Sequence, residues 1–221
     1  MTDQRYAMIP GHNVKLRPIE PEDLDLVWRL ANEPSITASV VGWSFPTSRE
    51  AQRNWIRTQA DDTRTRRLVI LDPEGESVGI TGLWDIDWHN QSAFSGVKLL
   101  PSSHGRGLAT DAVLTTMAWA FYVVGLRRLH STVLQFNTPS LKLYLQRCGW
   151  REEGCELESV FRAGKWWNLV RIAALRSDFD RLDGAAARAH RLAPVPTDPS
   201  RTRSCAVAGE APMQGTGTSF A

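Results

Sequence analysis

The chain has 221 residues, of which 42% are apolar and 23% charged, a composition that fits one ordinary globular domain with room for a tail. A formal net charge of +2 gives no electrostatic case for a nucleic-acid partner, and no stretch approaches the run of about 18 apolar residues that a membrane-spanning helix needs. The three cysteines, Cys148, Cys155 and Cys205, form neither a disulfide framework nor a metal-spacing motif, and Met1 to Pro10 lacks an apolar export signal. A cytoplasmic protein without a metal site is expected.

Residues 1–12 read as an N-terminal extension. Asn13 to Ile19 alternates in polarity and predicts a strand. Glu20-Pro21-Glu22-Asp23 then opens a helix, with proline in its first turn and acids at the positive end of the dipole. Ser48 predicts the cap of a second helix containing Gln52 and Trp55. Arg67 to Leu71 and Ser77 to Trp84 form a hairpin around the turn Asp72-Pro73-Glu74-Gly75. After Trp88-His89-Asn90 comes a strand from Ala93 to Leu100.

Pro101 to His104 leads into Gly105-Arg106-Gly107 and a long helix from Leu108 to Val124, stopped by Gly125. A strand from Arg128 to Gln135, a short helix from Ser140 to Arg147, and a closing antiparallel pair (Arg151 to Glu158, Lys165 to Leu175) complete the domain. The order β-α-α-β-β-β-α-β-α-β-β describes an α+β domain with one mixed, mostly antiparallel sheet, spanning residues 13–183. From Gly184 to Ala221 the chain is rich in Ala, Arg, Pro, Ser, Thr and Gly and nearly free of bulky apolar residues, which predicts a disordered tail.

A strand followed by Gly105-x-Gly107 and a long helix can cradle a phosphate. Glycines admit close backbone approach, and the helix start offers free N–H groups. It is neither a Rossmann fingerprint nor a P-loop, since the third glycine and the Lys-Ser/Thr pair are missing. Arg17-Pro18, the run Gly105 to Ala112, Asn137-Thr138-Pro139-Ser140 and Gly149-Trp150 stand in an order that resembles the GNAT superfamily of acyl-CoA-dependent N-acetyltransferases. Within it the chain looks most like the Rim-type branch, which acetylates the N-termini of ribosomal proteins. The resemblance runs from Val14 to Phe179 and is most specific between Gly105 and Trp150.

The resemblance implies acetyl-CoA as the acyl donor and a primary amine as acceptor. It places the pyrophosphate on the N–H groups of His104, Gly105, Arg106, Gly107, Leu108, Ala109 and Thr110, the pantetheine arm along the backbone of Val97 to Leu99, and Asn137 on that arm. The leaving thiolate needs a proton. Ser140 has the spacing of the Rim-type donor, and Tyr144 is the second candidate. Counting forward from Asn137 selects Tyr144; counting back from Gly149 selects Leu145, because the interval is one residue longer than the family pattern.

The base that takes the amine proton is open among Asp85, Asp87, Glu152, Glu153 and His89, with Asp85 and Glu153 in front. His130 reads as a satisfied core residue. If the acids line the groove, they would draw in a cationic amine. Trp43, Trp84, Trp88, Trp166 and Trp167 fall in segments that border the acceptor groove in this family. A small-molecule acceptor would favour a pocket closed by the helices around Trp28 and Trp55; a protein N-terminus would need an open groove. A monomer or homodimer is expected. The alternative from another class is a non-catalytic acyl-CoA sensor on the same fold.

Overall fold

The structure, a computed structural model, describes residues 8–42, 45–59 and 61–182, so the expected tail and Trp43 lie outside the described residues. It opens with a two-residue strand, β1 (Ile9–Pro10), paired antiparallel with β2 (Lys15–Pro18). Part of the expected N-terminal extension therefore belongs to the sheet. The turn between them is held by Asp111, whose buried carboxylate accepts the backbone N–H groups of His12 (3.2 Å) and Asn13 (2.5 Å).

A 3-10 turn (Pro21–Asp23) leads into α1 (Leu24–Asn32), followed by α2 (Pro34–Ser39) and α3 (Arg49–Thr58). Ser48 caps α3 as expected, its hydroxyl accepting the Ala51 N–H at 3.1 Å. The helix α2 was not expected. Its six residues bury only Ile36, too little for a helical period to register.

The strands β3 (Arg66–Leu71) and β4 (Ser77–Asp87) form the expected hairpin, but β4 runs past Trp84 through a bulge at which Asp85 is left-handed (φ 51°). Next come β5 (Ser92–Ser95), β6 (Lys98–Leu99), α4 (Leu108–Tyr122) and β7 (Arg128–Leu134). A single turn, α5 (Thr138–Leu141), continues as a π-helical turn over Lys142–Arg147. The chain closes with β8 (Arg151–Arg162), β9 (Lys165–Leu175) and α6 (Arg176–Asp180).

One sheet contains the nine strands of the described residues in the order β1-β2-β3-β4-β5-β7-β9-β8, with β6 on β4. Every contact is antiparallel except β5 with β7. This is the α+β class expected from the sequence. Strand alternation sends side chains to two covered faces. Leu68 and Ile70 pack with Leu108 and Ala112 of α4, while Val69, Leu71 and Ile80 pack with Leu26 and Leu30 of α1 and Ile36 of α2. On the α4 face the larger cluster joins Leu83, Met117, Phe121, Leu129, Trp150 and Phe179.

The Arg17-Pro18 pair of the sequence acquires a structural reason here. Arg17 is 8% exposed, and both its terminal nitrogens reach the Asp23 carboxylate at 2.7 Å. Asp23 also accepts the Glu20 N–H at 2.8 Å, so one carboxylate fixes the end of β2 to the start of α1. Removing one partner leaves a buried charge uncompensated, so Asp23→Ala should cost about 3–5 kcal/mol in denaturant unfolding. The double variant Arg17→Met/Asp23→Leu should recover most of that loss; equal losses in the two proteins would mean that the pair itself is not the source.

Candidate active site

The site begins where two strands stop pairing. Parallel contact between β5 and β7 covers only Ser92↔Arg128, Ala93↔Leu129 and Phe94↔His130. Beyond it the first half stays with β4, since Leu83↔Ser95 continues in register to Ile80↔Lys98. The other half stays with β9 down to Leu134↔Leu169. The halves splay, and a cleft opens between Gly96–Lys98 and Ser131–Val133. Leu100 donates to Val78 O at 2.9 Å, so by strand alternation Val97 and Leu99 turn their backbone groups into the cleft. The Leu99 carbonyl meets His104 Nε2 at 3.2 Å.

The cleft holds two adjoining cavities. The larger, about 560 Å³, runs from Lys98 and Leu99 to the turn His104–Thr110 and across to Pro139, Leu143 and Arg147. Gly105 and Gly107 have φ of +77° and +78°, the region that favours glycine, and a Cβ on either would meet nothing within 4 Å. The space above the turn is open. No side chain caps the 15-residue helix α4, so its first N–H groups face that space without an intrahelical partner. Arg106 turns its side chain away, to Asp72 at 2.9 Å and Glu74 at 2.7 Å, which pins the glycine turn to the β3–β4 hairpin. Burial opposes ionisation of Asp72, but the Glu76 N–H and Arg106 hold its carboxyl below the usual range.

The smaller cavity, about 330 Å³, is walled by Trp84 and Phe94 on one side, Ser131, Thr132 and Val133 on another, and Tyr144 at its base. The end of α2 borders it. Ser39 O accepts Asn137 Nδ2 at 3.1 Å, and Val40 O accepts Arg162 Nη2 at 3.1 Å. Residues common to both cavities mark their junction: Ser39, Val40, Val97, Lys98, Asn137 and Ser140. Trp84 packs on Phe94 with ring centroids 4.8 Å apart, and Phe94 meets His130 edge-on at 5.4 Å. Burial, with Arg128 and Arg171 nearby, lowers the His130 pKa and favours the neutral imidazole.

Asn137 accepts the Ser140 N–H at 3.2 Å and so starts α5 while clasping α2. The π-helical turn takes up the extra residue between Asn137 and Gly149, with Cys148 N–H reaching Leu143 O at 3.1 Å. Tyr144 is buried in the cleft, and Leu145 packs against the core. Burial pushes the Tyr144 phenol well up. The Val97 backbone opposes that shift only weakly, so the phenol stays protonated.

Of the expected residues, the structure brings Val97, Leu99, His104, Gly105, Gly107, Leu108, Ala109, Thr110, Asn137 and Ser140 into the larger cavity, and Ser140 and Tyr144 into the smaller. Arg106 lines neither cavity, its side chain being held by Asp72 and Glu74. Asp85 and Glu153 line neither cavity. Glu153 is held by Arg128 at the closed end of the β5–β7 pair, and that bond lowers its pKa. Asp87 binds the Asn90 turn (2.9 Å), and among the described residues no carboxylate lines either cavity. The groove acids expected to attract a cation are thus absent from its walls. Trp84 is the one groove tryptophan of the five that lines it among the described residues; Trp88 and Trp166 are exposed, and Trp167 packs on Phe136 at 4.6 Å.

Over residues 13–151 the chain matches the family described as the acetyltransferase (GNAT) domain. The chain belongs to the GNAT acetyltransferase family. It is 28% identical over 174 residues to spermidine N(1)-acetyltransferase of Escherichia coli K12, covering 78% of this chain and 91% of that protein. It is 25% identical over 170 residues to the uncharacterized prophage-derived N-acetyltransferase YokL of Bacillus subtilis, covering 77% and 94%. Its fold is similar to the crystal structure of Vibrio cholerae spermidine N-acetyltransferase in complex with CoA and spermine, with TM-score 0.70 and 25% identity over 75% of this chain and 97% of that one. These relatives do not single out the Rim-type branch.

This GNAT protein is an acyl-CoA-dependent N-acetyltransferase with acetyl-CoA as donor. The open glycine turn, the uncapped helix and the cleft-facing strand edge suit a pyrophosphate followed by an amide-bearing arm. Gly107→Ala, at positive φ, should cost about 1 kcal/mol of stability and weaken acetyl-CoA binding several-fold by calorimetry; unchanged binding would remove the turn from the donor site.

Lys98 was not expected to matter beyond its backbone. Burial, reinforced by Arg67, lowers its ammonium to about 8 from the ordinary 10.5. The folded state therefore disfavours the charged lysine, a penalty complete below pH 8 and relieved as pH rises toward 10.5. Lys98→Met should stabilise the protein at pH 7 by roughly 2–3 kcal/mol, with the gain shrinking above pH 8. A gain independent of pH would sink this account.

Proposed function

We propose that this GNAT enzyme acetylates a small-molecule primary amine by direct attack in a ternary complex, with Ser140 as the proton donor to the leaving thiolate. The carrying observation is the position of Ser140 at the junction of the two cavities. Acetyl-CoA would enter by the larger cavity, its pyrophosphate on the N–H groups of residues 104–110 and its arm against the remaining groups of Val97 and Leu99. Asn137, engaged with Ser39 and Ser140, would hold the arm's wall in shape. The thioester then comes to the junction and the amine enters from the smaller cavity.

The amine lone pair forms the C–N bond as the C–S bond breaks. The thiolate takes a proton from Ser140, and the proton shed by the attacking nitrogen passes through water, since no carboxylate lines the cavity among the described residues, and restores the Ser140 hydroxyl. Asp85 could act only through such water. A cavity of about 330 Å³, bordered by the end of α2, supports a small acceptor over a peptide chain. The free thiols Cys148 and Cys155 accord with a reducing cytoplasm.

Tyr144 remains the second candidate donor because it lines the same cavity and burial keeps its phenol protonated. Thiol release from acetyl-CoA across a panel of amines tests the reading. Ser140→Ala should lower kcat by about 10²-fold with acetyl-CoA binding intact, and Tyr144→Phe by less. The reverse order assigns the donor to Tyr144. Binding without release for any amine favours the sensor.

A further inference from the structure

The smaller cavity has a charge that does not suit a polyamine. Lys98 lines it, 5.7 Å from the Trp84 ring centroid. The Arg67 guanidinium lies 4.0 Å from the same centroid and 5.9 Å from that of Trp55. Arg67 makes no ion pair among the described residues, and its Nε is buried without a hydrogen-bond partner. The carboxylates that act on it, Asp85 and Asp62, do so only at longer range. Farther along the same sheet face, Arg128 and Arg171 are paired with Glu153 and Glu156, and His130 is pushed toward its neutral form. The polar lining is otherwise hydroxyls and one amide, from Ser39, Ser131, Thr132, Asn137, Ser140 and Tyr144.

Two cations held beside one indole, with no carboxylate on the wall among the described residues, lower the potential energy of an anion and raise that of a second ammonium. The aromatic pair Trp84–Phe94 offers a flat apolar surface next to them.

We propose that the acceptor carries a carboxylate beside its primary amine and an apolar or flat body, with Lys98 and Arg67 attracting the carboxylate and Trp84 and Phe94 packing the body. This rests on the acetyl transfer proposed above and names its substrate class: an amino-acid-like amine and not a polycation. Lys98 meets the acceptor directly, and Arg67 acts across the Trp84 ring.

The test is thiol release from acetyl-CoA with matched acceptors: phenylalanine with its amide and phenethylamine, tryptophan with its amide and tryptamine, and spermidine. The carboxylate-bearing members should show kcat/KM at least about tenfold above their amides and above spermidine. Arg67→Gln and Lys98→Gln should each bring that ratio toward one, through KM for the acceptor, with acetyl-CoA binding by Arg67→Gln unchanged. Preference for spermidine or the amides overturns the proposal. So does a ratio that both variants leave intact, a loss of kcat in Lys98→Gln equal for acid and amide, or silence of the whole panel while acetyl-CoA binds. Failure of the unaltered protein to bind acetyl-CoA would strike the acetyl-transfer reading itself.

Discussion

Three residue pairs of parallel strand contact decide the shape of the functional half of this molecule. The ladder between β5 and β7 ends at Phe94↔His130, and each strand then keeps only its outer antiparallel partner. Because those outer ladders are complete, the sheet can part without unfolding either half. The parting leaves backbone groups of Val97 and Leu99 turned inward, where no strand covers them. A buried edge must be satisfied by something. His104 takes the Leu99 carbonyl, and the remaining groups form the polar seam along which an amide-bearing chain can lie.

The same parting explains why the α5 turn lies at the cleft. A connection leaving β7 at Leu134 must cross the mouth of the cleft to reach β8. Asn137 makes that crossing rigid, since one amide starts the helix and also clasps the end of α2. The π-helical turn then absorbs the extra residue before Gly149, so that Tyr144 stays over the cleft and Trp150 still enters the core, their rings 4.9 Å apart. A regular α-helix of the same length would have to turn one of the two away. Sequence spacing alone left Tyr144 and Leu145 in competition, because the position at which a helix widens depends on tertiary anchors at both ends.

Much of the fold was legible because its signals are local. Ser48 as a cap, the Asp72–Gly75 turn, and the Gly105-x-Gly107 start of α4 each express the backbone needs of a few adjacent residues. What stayed hidden depends on partners far along the chain. The short helix α2 buries a single apolar side chain. Asp111, a generic acid in the glycine-turn pattern, serves the loop before β2, nearly a hundred residues upstream. Lys98 and Arg67 look like ordinary charges in alternating strands until the register places both beside Trp84.

The acids show most plainly why charge in a sequence is not charge at a site. Asp85, Asp87 and Glu153 fall near the right strand ends, yet Glu153 is taken by Arg128 and Asp87 by its own turn. Asp72, Glu156 and Asp178 are likewise engaged by Arg106, Arg171 and Arg151. An arginine-rich chain of nearly balanced charge can thus neutralise its carboxylates pairwise at the periphery. What remains near the cleft depends on where the cations sit, and Arg67 makes no ion pair among the described residues. Aromatic faces are suited to hold such cations, because a ring quadrupole attracts positive charge without supplying a carboxylate that would cancel it. The indole of Trp84 therefore keeps the positive charge of Arg67 and Lys98 beside the smaller cavity, so that the strand register, and not the count of acids, sets the charge at its wall.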